Sequence, residues 1–206
     1  MDRSEFSLQK NLTVRLTISK FFGFVFLLFG ITNGAFSDEW PAFRHDVARS
    51  AISSESLTFP LQRAWNHSMA QPPAPAWPPP HFIILNRLDF DYAPQPVAAA
   101  GIVCLGSSSD DTVRAFDWTT GKLRWQFITG GPVRIAPQIA EERVYFSSDD
   151  GYAYCVDART GSLIWKFNAT PNPEKYIGNG RMISRWPIRT GVMVDRGIAY
   201  LVAGIW

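Results

Sequence analysis

Asp157-Ala158-Arg159-Thr160-Gly161-Ser162-Leu163-Ile164-Trp165-Lys166-Phe167 repeats, 40 residues downstream, the stretch Asp117-Trp118-Thr119-Thr120-Gly121-Lys122-Leu123-Arg124-Trp125-Gln126-Phe127. Asp, Thr, Gly, Leu, Trp and Phe return in register. Upstream, Val103-Cys104-Leu105 aligns with Val144-Tyr145-Phe146 at a spacing of 41, so one extra residue lies in the turn between them. A period of this size built from short strands indicates a solenoid or propeller.

Each segment of the unit has a local reason for its form. Val144-Tyr145-Phe146 and the run Tyr152 to Val156 are aromatic and β-branched, which suits a pleated, half-buried surface. Ser148-Asp149-Asp150-Gly151 between them is turn chemistry, with Asp side chains that bond local N–H groups and a Gly that accepts positive φ. Asp157 to Gly161 makes a second tight turn. Leu163, Trp165 and Phe167 then alternate with Ile164 and Lys166, the period-2 pattern of a strand. A further strand over Val133 to Ile139 completes a four-stranded antiparallel blade.

These residues resemble the PQQ-like (quinoprotein) β-propeller repeat, whose signature runs roughly V-Y-x-x-S-x-D-G-x-x-Y-x-x-D-A-x-T-G-x-x-x-W-x-F. Val144 to Phe167 follows it almost throughout. The preceding unit departs at Asp111, where the turn Gly is expected, and at Trp118, where Ala is usual. The resemblance implies structural roles for Asp117, Gly121, Trp125, Asp157, Gly161 and Trp165, with each Trp docking between adjacent blades. The expected fold is therefore all-β: a partial β-propeller of four-stranded antiparallel blades following an N-terminal apolar leader helix. Recognisable units number two plus a beginning, and Arg196 to Gly204 reads as the opening strand of another blade. The chain reads as the N-terminal piece of a longer propeller protein.

Three regions follow in order. Residues 1–37 read as a signal peptide or an uncleaved signal anchor: Arg3, Lys10, Arg15 and Lys20 precede the apolar run Phe21 to Phe36, and Ala35-Phe36-Ser37 offers small residues for cleavage. Export to the periplasm or the extracellular space follows, with membrane contact only through an uncleaved leader. Residues 38–100 hold N-terminal strands and a Pro-rich loop at 71–80. Trp40-Pro41-Ala42-Phe43-Arg44-His45-Asp46 resembles a W-x-x-[FY]-R-x-[DN] opening of exported PQQ-repeat proteins; an aromatic anchor that starts the fold is the equal alternative. Leu57 to Trp65 and Phe82-Ile83-Ile84-Leu85 read as strands. Gln71 to Pro80 cannot donate a regular ladder and reads as a polyproline-like surface loop. Residues 101–206 hold the propeller repeats, incomplete at the C-terminus.

The chain has 46% hydrophobic residues and a formal charge of +2 without a block of like charge, so electrostatics suggest no nucleic-acid partner. Cys104 and Cys155 occupy non-equivalent repeat positions and read as buried small hydrophobes, a disulfide being the alternative. His45, His67 and His81 lack metal-ligand spacing, so no metal site is expected. Asp110 with Asp111, and Asp149 with Asp150, read as caps of local N–H groups rather than calcium ligands. Asn66-His67-Ser68 and Asn168-Ala169-Thr170 fit the glycosylation acceptor pattern. No catalytic residue is identified.

Pro132-Val133-Arg134 and Pro187-Ile188-Arg189 stand in equivalent places, each leading into the first strand of a blade. In one reading Arg134, Arg189, Arg181, Arg185 and Trp186 form an electropositive, partly aromatic mouth for an anionic ligand or peptide, because guanidinium groups offer fork-like donors. In the favoured alternative these Arg pair with blade-turn acids such as Asp149. Between Phe167 and Ile198 the chain is 14 residues longer than between Phe127 and Val144, and such insertions often carry binding function. The resemblance leaves two functions. The first is an exported, non-catalytic scaffold that binds a protein or ligand at the cell envelope without cofactor. The alternative is a fragment of a PQQ-dependent quinoprotein dehydrogenase, which would require PQQ and calcium. The vicinal Cys pair characteristic of such alcohol dehydrogenases is missing here.

Overall fold

The computed structural model describes residues 38–78 and 91–204. The leader over 1–37, the strand expected at Phe82-Ile83-Ile84-Leu85 and the last two residues of the Pro-rich run lie outside them. Twelve strands occur among the described residues. The first blade contains β1 (Val97–Ala99), β2 (Ile102–Ser107), β3 (Thr112–Asp117) and β4 (Leu123–Ile128), hydrogen-bonded in that order. The second contains β5 (Gln138–Ala140), β6 (Arg143–Ser147), β7 (Tyr152–Asp157) and β8 (Leu163–Asn168), again in order. A hairpin of β9 (Lys175–Gly178) and β10 (Arg181–Ser184) follows, then a two-stranded sheet of β11 (Met193–Asp195) and β12 (Ile198–Tyr200). All named pairs are antiparallel.

The repeat is visible down to single hydrogen bonds. Asp117 Oδ1 accepts from the Thr120 amide and hydroxyl, both at 2.8 Å, and Asp157 Oδ1 does the same for Thr160 at 2.7 Å. Gly121 and Gly161 close these turns at φ 68° and 72°, in the left-handed region that Gly enters without steric cost. Asp111, where the repeat departs from Gly, adopts φ 58° and so keeps the turn its Gly151 counterpart makes at 89°. Both blades carry a register shift at one repeat position, after Ala115 and after Cys155, the residues opposite Trp125 and Trp165.

Period-2 alternation divides the second blade between two interfaces. Val144, Phe146, Tyr154 and Val156 face the first blade, where they meet Ile102, Cys104, Val113 and Ala115. Tyr145, Ala153 and Cys155 face the other way, toward Ile188, Val192 and Val194. Both faces are apolar because both are covered, as a sheet stacked between neighbours requires. Cys104 and Cys155 are free and buried in different interfaces, so the disulfide alternative is not realised.

Several expected elements take another form. The strand anticipated over Val133 to Ile139 begins only at Gln138, because Pro132 and Pro137 cannot donate to a ladder. Arg196 to Gly204 is not an opening strand: Ile198–Tyr200 is the second strand, paired to Met193–Asp195. The blade expected from residue 101 starts at Val97. Leu57 to Trp65 forms no strand; Pro60 interrupts its donors, and Leu57, Phe59 and Leu61 are exposed. Its end nevertheless reproduces the blade contact. Trp65 Nε1 donates to Trp118 O at 2.9 Å, and its ring lies where a Cβ on Gly121 would stand 2.6 Å away. Trp125 does the same to the second blade, donating to Ala158 O at 2.8 Å and covering Gly161.

Trp40 and Pro41 lie against the edges of β1 and β5, and residues 42–51 turn back on themselves beyond them. Trp40 bridges Ala98 of β1, Pro41 O accepts from Ile139 N at 2.8 Å, and Phe43 packs on the core between the blades. The inner edges of β1 and β5 are thus paired rather than bare, which removes a template for unwanted strand addition.

Candidate functional site

Each of the two Pro-x-Arg entries is fixed by the preceding blade. Val133 N donates to Ser107 O at 3.2 Å, and Ile188 N donates to the equivalent Ser148 O at 3.3 Å. These bonds place Arg134 and Arg189 four residues before β5 and β11, on either side of the β6–β7 turn that carries Asp149.

Asp149 receives both. Arg134 Nε donates to its Oδ2 at 2.7 Å, while Arg189 Nε and Nη2 donate to Oδ1 and Oδ2 at 3.0 and 2.9 Å. Arg134 Nη1 also pairs with Asp91 at 2.6 Å and donates to Ala74 O. Asp91 in turn accepts from Ala76 N at 2.8 Å, and the Arg189 guanidinium lies 4.9 Å from the Trp77 ring centroid. The Pro-rich loop is therefore packed down on this cluster, with Ala76 buried, rather than solvated along its length. Two guanidinium and two carboxylate groups leave the cluster formally neutral. Side chains of Arg134 and Asp149 are each 1% exposed. Among the described residues Arg134 is buried and pairs with Asp149, the alternative contact named from the sequence.

The other three residues separate. Arg181 pairs with Asp111 of the first blade and donates to Ser109 O at 2.8 Å. Asn179, at the hairpin tip, donates to Pro75 O at 2.8 Å. The 14-residue insertion thus becomes a strap from the second blade to the first blade's turn and the Pro-rich loop. Arg185 pairs with Glu174 at 2.7 Å on the surface, where solvent and salt screen such a pair and it contributes little. Arg185 and Trp186 share a cleft of about 600 Å³ with Glu174, Lys175 and Tyr176. Trp186 Nε1 is buried and has no hydrogen-bond acceptor among the described residues. Ile177 and Met182 project from the same hairpin, Ile177 with 72% of its surface exposed.

The turn acids expected to cap local N–H groups divide: Asp150 accepts from the nearby Tyr152 amide, whereas Asp149 and Asp111 pair with Arg side chains remote in sequence. Asp150 accepts from Gly130 N at 2.9 Å, Tyr152 N at 3.0 Å and the Tyr154 hydroxyl. Burial would raise the Asp110 carboxyl, but hydrogen bonds from Arg114, Ser107 and Thr112 and the Arg114 charge outweigh it and hold it at about 2. Asp117 is held well below the usual carboxylate range, chiefly by the Arg124 hydrogen bond and then by Thr120. Burial pushes the Asp111 carboxyl up, against the opposing charge of Arg181. Burial likewise raises the Cys104 thiol, leaving it a poor nucleophile.

PQQ with calcium would need free carboxylate donors beside cations available to the quinone's own acidic groups. Among the described residues Asp91 and Asp149 are bound to Arg134, and no group of three or more His, Cys, Asp or Glu could hold a metal ion. These described residues do not fit that cofactor.

Sequence missed two contributors. Trp65 lies 60 residues before Trp125, a spacing that the Pro-rich insertion takes out of register. Asp91 carries no repeat signature, and only its hydrogen bonds reveal it.

Comparison with known proteins agrees with this architecture. The family described as "Outer membrane protein assembly factor BamB" matches residues 62–202. The dehydrogenase subunits of alcohol dehydrogenase (quinone) from Gluconacetobacter polyoxogenes and Komagataeibacter europaeus are each 34% identical over 80 residues, which is 34% of this chain and 11% of theirs. The chain thus spans only a small part of the curated relatives it matches. Quinohemoprotein alcohol dehydrogenase from Comamonas testosteroni superposes with a TM-score of 0.59 at 19% identity, covering 81% of this chain and 23% of that one, a likeness of fold. With its matching blades, its duplicated Asp-x-x-Thr-Gly turns and a family match over most of its length, this chain belongs to the PQQ-like repeat family described as outer membrane protein assembly factor BamB.

Proposed function

We propose that the chain is an exported, non-catalytic binding module of the cell envelope. Its partner is a protein or anionic ligand held at the cleft of Lys175, Tyr176, Arg185 and Trp186 and along the β9–β10 hairpin. One observation carries this reading. The repeat residues are engaged in building blades, whereas the inserted hairpin presents exposed Ile177 and Met182 beside a cleft lined by Trp186, whose buried indole N–H has no acceptor among the described residues. Apolar anchors next to aromatic and Arg side chains are the composition of binding hot spots. Arg134 and Arg189 take no part in this contact, because both are paired with Asp149.

The test is titration of the ¹⁵N-labelled chain with a short acidic peptide such as tri-glutamate. The Trp186 indole N–H should shift, and Arg185→Glu should weaken binding while the Trp125 indole signal stays in place. Unaltered binding by Arg185→Glu would remove the proposal. Export is checked separately by fusing residues 1–37 to a reporter that is active only outside the cytoplasm.

The match to the alcohol dehydrogenase subunits supports a second reading, a segment of a quinoprotein dehydrogenase. Dye-linked alcohol oxidation appearing on addition of PQQ and calcium would favour it.

A further inference from the structure

The backbone nitrogen of Asp38 closes a circuit of hydrogen bonds with Ser53 and Glu55. Asp38 N donates to Glu55 Oε2 at 3.3 Å. Glu55 N donates to Ser53 Oγ at 3.0 Å, and Ser53 Oγ donates to Asp38 Oδ2 at 2.7 Å. The contact is therefore reciprocal, each segment supplying one side chain to the other. His45 Nε2 meets the same Asp38 Oδ2 at 3.2 Å, and the Trp40 ring packs edge-on against His45 with centroids 5.0 Å apart. Trp40 exchanges two backbone hydrogen bonds with Ala98 of β1, at 2.7 and 2.8 Å. Two residues thus tie the circuit to the first blade.

The charge around that nitrogen is one-sided. A hydrogen bond from Ser53 holds the Asp38 carboxyl below its usual range, and Ser50 does the same for Asp46. Both are anionic at neutral pH. Glu39 and Glu55 add two further carboxylates, and an open cleft of about 320 Å³ is lined by Asp38, Glu39, His45 and Asp46 among others. Among the described residues no Lys or Arg pairs with any of these four acids; His45 contacts two of them. Arg49 turns away, to Thr190 O at 3.5 Å and the Phe43 ring at 5.6 Å. An amide N–H at this point carries no full charge to answer the carboxylates. Asp38 is also the residue that follows the small residues Ala35 and Ser37, at the −3 and −1 positions of the expected cleavage point.

We propose that removal of the leader turns Asp38 N into an α-ammonium group held by Glu55, an ion pair that the precursor cannot make. This rests on the export proposed above. An envelope peptidase hydrolyses the Ser37–Asp38 bond: water supplies the second oxygen of the Ser37 carboxylate, and its two hydrogens convert the Asp38 nitrogen to an ammonium group. A neutral donor with one N–H becomes a charged donor with three. Hydrogen bonds between ionised groups are about twice as strong as neutral ones. Asp38 and Glu55 lie at the surface, so water and salt screen the pair. Its effect falls on the terminus and the segment 38–55 rather than on the whole fold.

The test uses the full chain exported by a bacterial host with its own leader. Intact mass and N-terminal sequencing should place the mature terminus at Asp38. Reductive methylation with ¹³C-formaldehyde then labels the α-amine while keeping its charge, and ¹³C NMR follows its titration. The midpoint should lie above the roughly 7.7–8.0 of an ordinary α-amine. Glu55→Gln should lower it by roughly 0.2–0.7 pH, and about 1 M sodium chloride should lower it in the unaltered protein. A midpoint in the ordinary range that neither change moves would overturn the proposal. A terminus other than Asp38, or a leader still attached, would overturn it too, while an active reporter fused to residues 1–37 would show that export itself stands. A silent reporter would remove the export reading and this pair with it.

Discussion

Asp149→Ala removes one side chain and strands two cations. In the native cluster Asp149 accepts three hydrogen bonds, one from Arg134 and two from Arg189. After truncation Arg189 has no carboxylate partner. Arg134, whose side chain is 1% exposed, keeps only Asp91 and Ala74 O. Water cannot readily reach such a site, so the charge left over costs far more than a surface pair does. Breaking a buried ion pair from one side typically costs about 3–5 kcal/mol. A domain of ordinary stability holds roughly 5–15 kcal/mol, so the variant should lose a large fraction of it. For a chain of this size the corresponding fall in Tm is roughly 6–20 °C. Asp149→Asn keeps an acceptor and should lose less, about 1–3 kcal/mol. Urea unfolding followed by tryptophan fluorescence measures both. The double variant Asp149→Ala with Arg189→Ala should be less destabilised than the sum of the two single changes, because it removes a stranded charge with its partner. The reasoning fails if Asp149→Ala unfolds within about 1 kcal/mol of the parent chain, a loss typical of an ordinary exposed pair. Retained stability with lost tri-glutamate binding would instead return Arg134 and Arg189 to the ligand.

Other consequences follow from the same contacts. Gly161→Ala adds a Cβ 2.7 Å from Trp125 Cδ2 at φ 72°, and left-handed strain with overpacking should cost about 2–5 kcal/mol in urea unfolding. Trp65→Ala should destabilise clearly although it lies in no strand, while Trp165→Ala should cost less than Trp125→Ala, the order being read from urea midpoints. By carboxyl NMR, Asp110 should titrate near 2, and Arg114→Ala should move it up toward the unperturbed 3.8. A folded value below the unfolded one means this contribution to stability is complete above 3.8 and lost as pH falls through about 2, so Arg114→Ala should raise the pH of acid unfolding. Arg185→Glu, on an exposed pair, should leave the urea midpoint nearly unchanged while weakening acidic-peptide binding.

Much of the architecture was legible because the repeat is written in residue types with a single conformational meaning. Asp117 and Asp157 cap their turns, Gly121 and Gly161 take positive φ, and alternation at Leu163, Trp165 and Phe167 marks a strand. Where Asp111 replaced Gly, the turn kept its form. Strand limits failed where proline decided them, at Pro132, Pro137 and Pro60. For the candidate site, the equivalence of Arg134 and Arg189 was visible, and so was Asp149 as their possible partner. Burial was not, because the Pro-rich loop that seals the cluster has no repeat to place it.

By itself the sequence determined the blade: local turn chemistry and two-residue periodicity act within about forty residues and need no distant partner. Tertiary structure alone decided what lies against each blade. Asp91 meets Arg134 across 43 positions, and Asn179 meets Pro75 across 104. No local pattern encodes such meetings, since they arise only when packed sheets bring remote turns to one end.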